Sequence, residues 1–70
     1  MGKTVGERLR EVRSGYDMSL RAYGRMVGFG ASDILRWEAE RCAPDLRSLL
    51  AVADALGMSL AALLDGVDSV

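Results

Sequence analysis

The chain is expected to be all-α, a compact protein of five short helices, and three observations lead there. Apolar residues recur three and four positions apart along almost the whole length, no segment alternates apolar and polar residues for more than a few positions, and the single proline, Pro44, stands between helical runs rather than inside one. Seventy residues have room for one domain, near the lower size at which an apolar core folds without a staple. We therefore expect one domain over 1–70, with its core at about 5–64 and 65–70, DGVDSV, as a frayed tail.

Each helix has its own signals. Val5, Leu9 and Val12 form an i, i+4, i+7 stripe that ends at Ser14-Gly15, where glycine suits a helix C-terminus. Ser19 can cap a second helix of about eight residues, with Tyr23, Met26 and Val27 on one face and Gly28 as a left-handed stop. Gly30 stands at the N-cap of a third, with Ala31, Ser32 and Asp33 as its first turn and Ile34 and Trp37 facing inward. Asp45, after Pro44, caps the fourth and cleanest helix, where Leu46, Leu49, Leu50, Ala53 and Leu56 keep the 3.6 period until Gly57. Ser59 caps a short fifth helix carrying Leu60, Leu63 and Leu64.

Composition removes several classes of function. With no histidine and one cysteine, Cys42, the chain offers neither a disulfide framework nor a Cys/His zinc site, and Cys42 reads as a bystander thiol in a loop. The same absence leaves no Cys–His or Ser–His pair, and no carboxylate cluster is spaced for a metal, so we expect no enzyme, no metal and no cofactor. No apolar run approaches a membrane span, and the Met-Gly-Lys start lacks the apolar core of a secretory signal, which makes the cytoplasm the expected compartment. A net charge of −1 argues against a generic polyanion binder, yet the basic residues gather in the first part. Through Arg41 there are eight Lys and Arg against six Asp and Glu; beyond it Arg47 stands alone against four.

Only Gly28 and Phe29 separate the second helix from the third, so the two must cross steeply. Such a crossing needs a small residue at the approach, a residue tolerant of positive φ in the turn, and apolar plugs beyond it. Gly24, Gly28, Ile34 and Trp37 meet those needs in order. The glycines of GFGASD lack the preceding strand and third glycine of a dinucleotide fingerprint.

Taken in order, the stretches LREVR, SLRAYGRMVG, ILRWE and PDLRSLLAVADALGMSLAALL resemble the lambda-repressor/Cro-like helix-turn-helix family, also called the XRE type, from about Gly6 to Leu64. The resemblance implies a third helix laid in the major groove of double-stranded DNA and homodimers binding two half-sites about one turn apart. It also implies an ion pair between Arg13 and Glu38, with Arg13 able to face a phosphate as well. By position the base-reading residues are Ala31, Ser32, Asp33, Leu35 and Arg36. Only Arg36 can grip guanine O6 and N7 with two donors; Ala31 and Leu35 can meet thymine methyls, and Asp33 either accepts from cytosine N4 or serves the helix dipole and cap.

The family's glutamine at the start of the second helix is Leu20 here, which keeps the backbone contact to phosphate and loses the side-chain one. Gly30 replaces the usual Ser or Thr cap, and Leu35 the usual Ser after isoleucine. Phosphate contacts are thus expected at Arg13, Leu20, Arg21, Gly30 and Arg41. Leu60, Leu63, Leu64, Val67 and Val70 offer a dimer surface, being more apolar than a free end should expose. The expected function is a sequence-specific regulator, a phage or bacterial repressor. The alternative is a protein-interaction module, an antirepressor or antitoxin subunit, that binds a protein through Leu20, Leu35 and the tyrosines.

Overall fold

A computed structural model describes residues 2–68. It contains α1 (Val5–Ser14), α2 (Leu20–Val27), α3 (Ala31–Glu38), α4 (Leu46–Ala55) and α5 (Leu60–Leu63). Val70, expected at a dimer surface, lies outside the described residues. Among the described residues no helix is long and apolar enough to cross a membrane.

Local chemistry starts and stops these helices. Thr4 and Glu7 close a capping box at α1: the Thr4 hydroxyl accepts from the Glu7 N–H at 3.1 Å, and Glu7 Oε1 accepts from the Thr4 N–H at 2.9 Å. Ser19 and Ser59 cap α2 and α5 through the N–H groups of Ala22 and Ala62. Asp45 caps α4 by accepting from the Ser48 N–H at 2.7 Å, and that bond holds its carboxyl below the ordinary carboxylate range. α2, α3 and α4 end in one manner, with a left-handed residue followed by an N–H that reaches back five positions: Phe29 to Gly24, Arg41 to Arg36 and Met58 to Ala53. The left-handed residue is glycine in two cases, Gly28 and Gly57, but Glu40, at φ 61°, in the third. A side chain there costs about 1 kcal/mol that glycine would not.

Leu9, Tyr23, Val27, Ile34, Leu49, Val52, Ala53 and Leu63 form the core. α1 packs on α3 and α5, α2 on α3 and α4, and α4 on α5. Phe29 and Trp37 meet edge to face at 4.8 Å against this core.

Four expectations change. On α4 the buried stripe is Leu49, Val52 and Ala53, while Leu46 and Leu50 are 60% and 48% exposed. Leu63, expected at a dimer surface, is 0% exposed and belongs to the core, while Leu60 and Leu64 are half-buried and rest partly against it. The tail is tied down as far as Asp68. Lys3 N–H donates to the Gly66 carbonyl at 2.9 Å, Lys3 bridges Val67 in a parallel pair, and the Gly2 N–H donates to the Asp68 carboxylate at 2.9 Å. Finally, Leu20 and Tyr23, cited for a protein-binding face, turn inward. Leu20 packs against the core, and Tyr23 is buried, which pushes its phenol above the ordinary value.

Gly6 sits where α1 crosses the end of α3. A Cβ there would lie 2.6 Å from the Trp37 carbonyl oxygen and 2.7 Å from Glu40 Cγ. Alanine favours a helix over glycine by up to about 1 kcal/mol. We nonetheless expect Gly6→Ala to lower stability by about 1–3 kcal/mol through forced separation of the helices. The urea midpoint measures this, and a rise in midpoint would contradict the close crossing.

Candidate nucleic-acid interface

α3 is eight residues long and has little stability of its own, so its placement depends on what holds it. Ile34 plugs into the core and Trp37 packs beside it. At its C-terminal end, Arg13 Nε and Nη2 donate to the two oxygens of Glu38 at 2.7 and 2.9 Å. The side chains of this forked pair are 22% and 6% exposed, and the carboxylate pushes the Arg13 guanidinium up from its ordinary value. The opposite face of α3 is left to solvent. Ser32, Leu35 and Arg36 are exposed, Ala31 and Asp33 half-buried. Leu35 is 49% exposed, a large apolar side chain on an otherwise polar rim.

Asp33 does not cap α3. Gly30 has no side chain to offer the first turn, and Asp33 Oδ1 instead accepts from Arg36 Nη1 at 3.0 Å. The start of α3 therefore presents its N–H groups without a side-chain cap, which suits an anion.

Beside that helix start lies a depression of about 460 Å³, lined by Arg21, Gly24, Arg25, Gly28, Phe29, Gly30 and Ala31. Arg21 and Gly30 were expected at phosphate contacts; Arg25 was not. A second, smaller groove at the other end of α3 is lined by Arg10, Arg13, Leu35, Glu38 and Ala39. Here the Nε–Nη2 edge of Arg13 is already taken by Glu38, and the exposed Arg10 is the more available cation. Arg41 is exposed in the turn after α3, and its N–H closes that helix on the Arg36 carbonyl at 2.9 Å. Leu20 opens α2, where the first-turn N–H groups lie next to the Ser19 cap.

Two further cations, Arg8 on α1 and Lys3 just before it, are committed to the fold. Lys3 and Arg8 both pair with Glu11, and these two bonds hold its carboxyl below the ordinary range. Arg8 also donates to the carbonyls of Leu63 and Ala62 at 2.9 Å each, closing the C-terminal end of α5. By contrast, Arg10, Arg21, Arg25, Arg41 and Arg47 have no carboxylate within ion-pair distance among the described residues. Local charge, not the net charge of −1, is what a ligand approaching α3 meets.

Solved structures similar to this chain over most of its length include two of the P22 c2 repressor. The P22 c2 repressor protein, in a crystal structure with synthetic operator 9T in the presence of Tl+, is 36% identical, with 91% of this chain and 97% of that chain covered and a TM-score of 0.75. The DNA-binding domain of the P22 c2 repressor, determined in solution by nuclear magnetic resonance, is 35% identical, with 94% and 87% covered and a TM-score of 0.79. No model of a protein family and no curated protein matches the chain.

Removing one partner of the Arg13–Glu38 fork leaves the other charge partly dehydrated. We expect Glu38→Gln to cost about 1–3 kcal/mol of stability. Arg13→Met added to it should recover part of that loss, because no charge is then stranded. Urea unfolding of the two single variants and the double variant measures this, and strictly additive losses would show that the pair is not coupled.

Proposed function

The chain belongs to the lambda-repressor-like helix-turn-helix family, and from that membership we propose that it is a sequence-specific repressor of phage or bacterial origin, acting in the cytoplasm as a homodimer on a two-fold operator in double-stranded DNA. The observation that supports this most is the presentation of α3, held from behind by Arg13 and Glu38 and open in front at Ser32, Leu35 and Arg36. In this reading Arg36 grips a guanine, while Ala31 and Leu35 meet thymine methyls and Ser32 donates or accepts. Leu20 and Gly30 bring helix N-termini to phosphates, and Arg21, Arg25, Arg41 and Arg10 supply the cations. Arg13 serves the fold first.

For the dimer surface we favour α4 over α5. Leu46 and Leu50 stand one turn apart and are the two most exposed large apolar residues of that helix. They give a second copy an apolar face at the end of the loop that follows α3, so that pairing of subunits fixes the distance between two recognition helices. The rival, a module that binds another protein through Leu20, Leu35 and the tyrosines, keeps only Leu35 on a free surface, since Tyr16 is half-buried against Tyr23 with ring centroids 5.8 Å apart.

Salt separates the two readings. Affinity for a duplex should fall steeply as salt rises, and Arg21→Ala and Arg25→Ala should each reduce the slope of log K against log salt by about one. An affinity indifferent to salt, or no binding to any duplex, would leave the protein-binding rival. Oligomeric state is a separate test. Sedimentation should show a dimer at high micromolar concentration, and a monomer once Leu46→Glu or Leu50→Glu is introduced with the helical content unchanged. A wild-type monomer with and without DNA would remove the dimer.

A further inference from the structure

Arg36 is the one cation on α3, and Asp33 lies one turn before it. Their bond runs from Nη1 of Arg36 to Oδ1 of Asp33 at 3.0 Å, with the side chains 52% and 47% exposed. The side of the guanidinium matters. Arg13 grips the Glu38 carboxylate through Nε and Nη2, the edge whose two parallel N–H groups match a pair of acceptors. In Arg36 that same edge has no partner among the described residues, because Asp33 takes Nη1 instead. A guanidinium held at Nη1 and open at Nε–Nη2 offers two donors at one fixed angle, as guanine O6 and N7 require.

From this geometry we infer that Asp33 is a positioning residue for base discrimination: it orients Arg36 for a guanine and opposes its use on a phosphate. The inference rests on the DNA-binding reading above and departs from both roles the sequence left open for Asp33, a cap or a direct contact to cytosine. In water an exposed pair of this kind holds weakly. Inside a groove that excludes water the same attraction strengthens, and an Arg36 that swings toward the backbone must give it up. Asp33 also carries a negative charge toward the phosphates, so it lowers affinity for any duplex while sharpening the choice among duplexes.

The test starts from selection of wild-type ligands from duplexes with a randomised segment. Affinities of wild type, Asp33→Ala, Arg36→Ala and the double variant are then measured for the selected duplex, for its copy with the preferred guanine changed to adenine, and for an unrelated duplex. Wild type should favour guanine by about tenfold or more. Asp33→Ala should lose most of that preference, bind the unrelated duplex at least as well as wild type, and add nothing to the loss already caused by Arg36→Ala. Asp33→Asn, which keeps an acceptor oxygen without the charge, should lose part of the preference and stands in if the alanine variant fails to fold by circular dichroism.

An unchanged guanine preference in both Asp33 variants overturns the inference. So does a loss confined to a different base pair, which marks direct reading by Asp33, or an equal loss on every duplex, which marks a stability effect on α3. In each of these cases the wild type still selects a sequence and the DNA-binding reading stands. If the wild type selects none, that reading fails and this one with it.

Discussion

The bond between Arg13 and Glu38 is the constraint on which the presentation of α3 depends. An eight-residue helix is too short to persist alone, and apolar packing through Ile34 and Trp37 would hold it without fixing its roll about its own axis. A forked pair with contacts of 2.7 and 2.9 Å has a direction as well as an attraction. Partial burial makes it selective about partners, because either charge left alone there is poorly hydrated. Gly6 completes the arrangement by letting the α1 backbone approach the last carbonyls of α3, so one end of α1 fixes the depth of α3 and the other its rotation.

From that arrangement the division of the charges follows. Cations used to build the fold, Lys3, Arg8 and Arg13, all sit on or next to α1 and are paired with Glu11 or Glu38. Those near the ends of α3, Arg10, Arg21, Arg25 and Arg41, have no such partner among the described residues. A chain of nearly neutral total charge can thus carry a local excess of positive field around the ends of its third helix. The two grooves that flank α3, one at its uncapped start and one beside Leu35 and Ala39, lie where that field is open to a ligand.

Much of this was legible in the residues, and the reasons for the rest are physical. Ser19, Asp45, Ser59, Gly28 and Gly57 announced their helix ends because caps and left-handed stops demand particular side chains. Glu40 gave no such signal, since nothing in a glutamate suggests a positive φ; only the Schellman bonds around it explain the conformation. On α4, leucines at 46, 49, 50 and 56 form a stripe wide enough for either of two faces to turn inward, and contact with α2 and α5 decides for Leu49 and Val52. Nothing in the sequence singles out Arg8 and Arg25, because a surface arginine is a solvated charge until a distant carbonyl or a neighbouring helix end comes beside it. The tail carries no local signal of its anchorage, because its partner, Lys3, lies at the far end of the chain.

The most direct measurement of the whole account is a map of backbone amide shifts of the isotope-labelled chain on adding a short duplex of arbitrary sequence at low salt. Changes are expected to concentrate at the starts of α2 and α3 and along Ser32, Leu35 and Arg36, with α5 and the bridge between Lys3 and Val67 unmoved. Changes centred on α5, or none at any concentration of duplex, would contradict this expectation.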